Sequence, residues 1–176
     1  GKPAEAAAVY REVLRIDPQH SSTLLALAGI AISDNKLDEA RKDADAALKI
    51  TPNSLQTRYT LALIDFREKK NESARDRLAS VLKAAPDYVP ALLLHGSIEY
   101  ALGNLQIAEA DLNKVIKATP SNLYAVRLLA ASQLRQGRPD DAAATLAPAL
   151  RSASHDAGVL TVAGEIALAK KDFAQA

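Results

Sequence analysis

Few residues of this 176-residue chain have the type and spacing to do chemistry. The histidines are His20, His95 and His155, and no two stand at the His-x-x-x-His spacing that lets one helix face grip a metal. The chain has no cysteine, so it offers no thiolate zinc site, no cysteine nucleophile and no disulfide framework. Asp38-Glu39 and Asp140-Asp141 have the residue types of an acid–base couple. Each pair, however, opens a helical stretch, where acids complement the positive end of the helix dipole. There is no Gly-rich phosphate loop and no Gly-x-Ser-x-Gly elbow. Asn71-Glu72-Ser73 fits a glycosylation acceptor only formally, as a three-residue pattern. We therefore expect no catalytic residues, no metal and no cofactor. One pattern points instead to binding. Tyr59, Leu63 and Phe66 fall at i, i+4 and i+7, one helix stripe. Leu93, Ser97 and Tyr100 repeat it, and Tyr124, Arg127 and Ala131 continue it, with Arg67 and Arg135 at its edge. Tyr59, Phe66, Tyr100 and Tyr124 are four of only seven aromatic residues. Aromatic and arginine side chains are the types enriched at binding hot spots. The alternative is that some of these rings fill spaces between neighbouring helices.

The elements that carry this stripe must be helical. Ala (36) and Leu (25) dominate the composition and both favour helix, whereas Gly is only 7. A net charge of +1 lacks the basic footprint of a nucleic-acid binder. No apolar run reaches the ~18 residues of a membrane span. An internal repeat then decides the architecture. Pro18, Pro52, Pro86 and Pro120 are each 34 residues apart. The same period links Ala28, Ala62, Gly96, Ala130 and Gly164, and again Ala6, Ala40, Ala74, Ala108, Ala142 and Ala176. It also links the aliphatic column Leu14, Leu48, Leu82, Ile116 and Leu150.

Each unit reads as two helices. The stretch from Thr23 to Ile32 is uncharged, with Ser21 and Ser22 available as N-caps. A break follows at Asp34-Asn35-Lys36. The next helix runs from about Leu37 to Ile50 and stops at Thr51-Pro52-Asn53, because proline disfavours helix in the residue before it. The third unit breaks at Gly103-Asn104 and stops at Thr119-Pro120-Ser121. The first helix of each pair is apolar on more than one side and must be sandwiched, while the second is amphipathic. The small columns belong where helix backbones approach closely, and stability comes from stacking neighbouring pairs. Within this register His95 replaces Leu27, Leu61, Leu129 and Ala163, which predicts a partly buried, hydrogen-bonded histidine. Arg67, Lys69, Lys70, Arg75 and Arg77, interleaved with Glu68, Glu72 and Asp76, read as a solvated surface.

These residues resemble the tetratricopeptide repeat (TPR) family. The 34-residue period, the Ala or Gly column, Ala40 with Ala47, Ala74 with Val81 and the closing prolines all match. The family's first-turn Trp is replaced by Leu24, Arg58, Leu92, Val126 and Leu160. Its Tyr before the break is replaced by Ala31, Asp65, Glu99, Gln133 and Ala167, and a bulky residue follows one place later, as Ile32, Phe66, Tyr100, Leu134 and Leu168. The resemblance implies an all-α TPR solenoid, about ten helices paired antiparallel into a right-handed superhelix. It also implies that the stripe lines a concave groove holding an extended peptide or a partner helix. The clamp for a terminal carboxylate found in chaperone-binding members is absent, since Leu25, Gly29, Thr60, Pro90 and Leu94 occupy its places. The stretches 91–104 and 128–135 are similar to bacterial TPR proteins of the PEP-CTERM/exosortase system, which would imply the periplasm or cell envelope. Without that likeness a cytoplasmic location stands equally.

The register divides the chain into an outer helix of a truncated repeat at 1–20, full repeats at 21–54, 55–88, 89–122 and 123–156, and an incomplete repeat at 157–176. Gly1 falls in a break and Lys171 to Ala176 would begin another outer helix, so a fragment of a longer solenoid is expected. The faces of Ala6, Val9, Val13 and Leu14 and of Leu160, Ala163, Ile166 and Ala167 would then favour end-to-end self-association. A strict monomer in sedimentation at millimolar concentration would contradict it. We expect a non-catalytic interaction module that binds a protein or peptide through Tyr59, Leu63, Phe66, Arg67, Leu93, Ser97, Tyr100, Tyr124, Arg127 and Arg135. The alternative is a scaffold that organises a complex through its ends or convex face.

Overall fold

The computed structural model describes residues 2–171, and every regular element among them is an α-helix. Gly1 and residues 172–176, including the column position Ala176, lie outside the described residues. The chain falls into two compact units, 1–85 and 86–176. In the first, α1 (Lys2–Ile16) packs on α2 (Ser21–Ser33), α2 pairs with α3 (Leu37–Ile50), and α4 (Leu55–Arg67) pairs with α5 (Asn71–Ala84). Contacts of α4 with α2 and α3 stack the pairs. In the second unit α6 (Val89–Leu102) pairs with α7 (Leu105–Ala118) and α8 (Leu123–Arg135) with α9 (Pro139–Ser152). Here α8 packs on α6 and α7, and α10 (Ala157–Ala169) covers α8 and α9. Among the described residues no helix is long and apolar enough to cross a membrane.

The small columns make the close approaches. Ala28, Ala62 and Ala130 are fully buried, as are Ala40, Ala74, Ala108 and Ala142. Gly96 makes such an approach too. A Cβ there would stand 3.1 Å from Leu112 Cγ and 3.5 Å from the Ala108 carbonyl oxygen. In the first unit Ala28, Ile32, Ala44, Leu61 and Ile64 form a core. In the second, Val126, Ala130, Leu146, Val159 and Ile166 do the same.

The helix ends repeat as faithfully as the core. Before the prolines, Thr51, Ala85 and Thr119 leave helical geometry while their N–H groups still donate to the last-turn carbonyls of Ala47, Val81 and Val115. Ser54, Asn122 and Asp156 cap α4, α8 and α10, their side chains accepting from the N–H groups of Thr57, Ala125 and Val159. The expected caps Ser21 and Ser22 are instead helical. The N-cap of α2 is His20, whose side chain makes no cap bond and whose Nδ1 lies 2.7 Å from Thr23 Oγ1. The cap column thus runs His20, Ser54, Tyr88, Asn122, Asp156, one place earlier than composition alone suggested.

Each break within a described pair turns on one left-handed residue, again at the repeat period: Asn35 (φ 58°), Lys69 (φ 63°), Gly103 (φ 85°) and Gly137 (φ 74°), and Lys171 after α10 (φ 60°) continues the series. Gly103 and Gly137 take this geometry freely, but a lysine Cβ crowds its own carbonyl at a cost of ~1–2 kcal/mol. Part of any gain from glycine is offset by its greater freedom in the unfolded chain. Lys69→Gly should therefore stabilise the protein by about 0.5–1 kcal/mol in urea denaturation. A loss of stability would show that the Lys69 side chain contributes more than its strain.

Candidate functional site

The stripe falls on the inner helices, α4 in the first unit and α6 and α8 in the second. On α4, Tyr59, Leu63 and Phe66 are half-buried and Arg67 is exposed. Leu63 packs partly against the core of its unit. Among the described residues Arg67 meets no carboxylate within ion-pair distance.

In the second unit the side chains interlock. The Arg135 guanidinium lies 4.7 Å above the centre of the Tyr100 ring, and its Nη1 donates to the Tyr100 carbonyl oxygen at 3.0 Å. A cation over an aromatic face is attracted by the ring quadrupole. Arg135 is exposed and pairs with no carboxylate among the described residues. One turn before Tyr100, Ser97 is buried and donates to the Leu93 carbonyl oxygen at 2.8 Å. Its hydroxyl also lies 3.3 Å from that of Tyr124, whose ring is 45% exposed. Leu93 itself is half-buried. Beside Tyr124 a cleft of about 270 Å³ opens between α8 and α10, lined by Tyr124, Arg127, Leu128, Ala131, Gly158 and Val162. Arg127 crosses Gly158 so closely that a Cβ there would sit 1.4 Å from Nη1. That nitrogen lies 3.3 Å from Asp156 Oδ1. α8 thus carries an apolar recess beside Arg127 and, towards its C-terminal end, an arginine with no carboxylate partner among the described residues. The recess can hold an apolar side chain and Arg135 an acidic group.

The α10 wall of the cleft was not legible beforehand. Gly158 shares its repeat position with Tyr124, so the signal was a glycine where the preceding repeat has a ring.

Three of the five positions where the sequence shows only a missing tyrosine are buried polar sites. Asp65 is 2% exposed, Glu99 2% and Gln133 6%. Arg41 Nη2 and Arg77 Nε each donate to the Asp65 carboxylate at 2.6 Å, and Ser73 Oγ donates at 2.9 Å. Arg41 also binds Glu68, which takes Lys70 Nζ at 2.6 Å. Arg77 is therefore not part of a merely solvated surface; it anchors a buried carboxylate. In the second unit, Arg138 and Gln136 donate to Glu109, Gln133 Nε2 lies 3.3 Å from it, and Thr145 Oγ1 donates to Gln133. His95 is half-buried as expected, its Nδ1 2.5 Å from Asp111 Oδ2 and its Nε2 3.3 Å from Glu99 Oε1. Asn104 Nδ2 donates to the other Glu99 oxygen at 2.6 Å. Among the described residues no three His, Cys, Asp or Glu side chains are grouped to hold a metal.

These networks set the acid response. Burial pushes the Asp65 carboxyl up, but hydrogen bonds from Arg41, Ser73 and Arg77 outweigh it and hold it below the ordinary value. Glu68 is held low by its bonds to Arg41 and Lys70. In Glu109, burial is outweighed by bonds from Arg138, Gln136 and Gln133. A carboxyl depressed in the folded state stabilises above its unfolded value, and that stability is lost as pH falls through the folded value. Asp43, which burial pushes up, acts in the opposite sense. Unfolding free energy should hence fall as pH drops below about 4, and Asp65→Asn should flatten this decline in denaturant titrations. An equally steep acid limb in that variant would contradict the assignment.

Comparison with known proteins follows the same lines. Tetratricopeptide-repeat family models match residues 1–59 and 31–98, 89–122 and 127–176. No curated protein matches the chain. Among solved structures, the fold is similar to that of PilW, described as a widely conserved type IV pilus biogenesis factor. The TM-score is 0.88 at 23% identity, covering 98% of this chain and 80% of that one. It is similar also to pilF of Pseudomonas aeruginosa (TM-score 0.82, 16% identity, 99% and 80% covered). A third is YrrB, described as a TPR protein with an unusual peptide-binding site (TM-score 0.76, 16% identity, 96% and 87% covered). At these identities the likeness is one of fold.

Proposed function

With the chain a member of the tetratricopeptide-repeat family, and so a protein-interaction module, we propose that it binds a peptide or protein segment without catalysis on the exposed face of its inner helices. The observation that carries this reading is the second-unit corner. Arg135 lies on Tyr100 yet meets no carboxylate among the described residues, and an apolar cleft opens beside Tyr124 on the same helix, towards α10. A ligand segment would place an acidic side chain against Arg135 and an apolar one in the cleft, with Ser97, Leu93 and Arg127 shaping the floor between. Tyr59, Leu63, Phe66 and Arg67 present the same stripe in the first unit. A setting in bacterial envelope or surface-protein export rests on the resemblance of 91–104 and 128–135 alone.

The scaffold reading, in which ends or the opposite face organise a complex, is separated by substitution. Peptides selected from a random display library should lose binding to the variant carrying Tyr59→Ala and Tyr100→Ala if the inner-helix face is the site. Undiminished binding by a variant that keeps its helical spectrum would favour the scaffold.

A further inference from the structure

A different place, on α1, α2 and α3, carries a second site. A cavity of about 600 Å³ lies between these helices, floored by Ala7, Leu14, Leu27, Ile30 and Ala31. The repeat explains why it is empty. Ala7 and Ala31 stand one period before Arg41 and Asp65, the pair that fills the corresponding space between α3, α4 and α5. In the second unit the same space, between α7, α8 and α9, is filled by Glu109 with Gln133 and Arg138. Two alanines thus leave a hole where these two interfaces hold a charged side chain and its partner.

The walls indicate what would fill it. Asp43 occupies the position of Arg77, reversing the charge there. It is half-buried and makes no hydrogen bond or ion pair among the described residues. Asp34, the counterpart of Glu68, stands on the rim, its only ion pair among the described residues a 3.5 Å contact with Lys36. Glu39 adds a third acid. The cations at the mouth, Arg11, Lys36 and Lys42, are all exposed, with long stems that keep their charge in water. Burial pushes the Asp43 carboxyl up despite Lys42 and Arg11, so these cations do not compensate it fully.

We propose that this cavity binds an arginine side chain presented by a partner protein. The guanidinium would meet Asp43 and Asp34, and its methylene stem would lie on Leu14, Leu27 and Ile30. Arg41 supplies the precedent within the chain. It reaches across from α3 to two carboxylates of the next pair, Asp65 and Glu68. A planar, always-charged fork suits two carboxylates better than an ammonium does.

The test uses the whole chain and N-acetyl-arginine amide as probe, followed by amide NMR shifts. Saturable shifts should appear at Ala31, Asp34 and Asp43, with a dissociation constant on the order of 1 mM for so small a ligand. The neutral N-acetyl-citrulline amide should bind at least about tenfold more weakly, and Asp43→Asn should weaken the arginine probe by a similar factor. The variant with Ala7→Arg and Ala31→Asp rebuilds the Arg41–Asp65 pair. It should raise the melting temperature and abolish the shifts. Equal binding of the citrulline probe, or binding unchanged by Asp43→Asn, would overturn the proposal. So would the absence of saturable shifts, which would mean that Arg11 or Lys42 already fills the cavity. Binding of free arginine without the blocked form would assign the site to a free amino acid and overturn it as well.

Discussion

Asp65→Leu should be the most damaging single substitution on the inner helices, lowering unfolding free energy by about 3 kcal/mol. By size and hydrophobicity leucine suits an inner helix, so the loss would come from charge alone. It strands Arg41 and Arg77, whose guanidinium groups both point at the missing carboxylate at 2.6 Å. Breaking a buried pair by removing one partner leaves an uncompensated charge. Both arginines keep some solvent access, at 24% and 39% side-chain exposure, which places the cost at the lower end of the range for buried pairs. Urea titration checks it. Replacing Arg41 and Arg77 by leucine in the same background should restore much of the loss, because the network is then replaced as a whole. A loss below about 1 kcal/mol, the value of an exposed pair, would mean that Asp65 is solvated in the folded protein.

The second large effect concerns binding. Tyr100 both offers its own ring and lies beneath Arg135, so Tyr100→Ala removes an aromatic anchor and the ring under the arginine together, leaving Arg135 only its bond to the backbone carbonyl. A hot-spot truncation of ~2 kcal/mol or more corresponds to a loss of about thirtyfold in affinity. Calorimetry with a selected acidic–apolar peptide should show that loss, and Arg135→Lys should show part of it, since an ammonium on the ring lacks the planar fork. Affinity unchanged by Tyr100→Ala would remove this corner from the site.

How much of this could be read from the sequence differs residue by residue. The helices were legible because the repeat imposes the same constraint several times. Pro52, Pro86 and Pro120 each end a helix, and Ala62, Gly96 and Ala130 each sit at a close approach, so one ambiguous position is corrected by its equivalents. The left-handed turn at Lys69 was not legible, since nothing in a lysine favours φ 63° and only its register with Gly103 and Gly137 betrays it. Asp65, Glu99 and Gln133 read as departures from a family pattern. Their burial depends on partners in sequence-distant helices, such as Arg41 for Asp65, and no local pattern reports such a pairing. Of the stripe, spacing places the residues on one face of each helix, but it could not tell that Ser97 is buried while Tyr124 is exposed. That difference comes from how α8 packs on α6. The cleft wall at Gly158 escaped for the converse reason, because it is made by the lack of a side chain.

The central claim is that a protein segment docks on the inner-helix face rather than on the outer helices. Amide NMR shifts of the protein on adding a selected peptide test it most directly. The largest changes are expected at Ser97, Tyr100, Tyr124, Leu128, Arg135 and Val162, with α7 and α9 little affected. Shifts concentrated on α7 and α9, with Tyr100 and Arg135 unmoved at saturation, would contradict it.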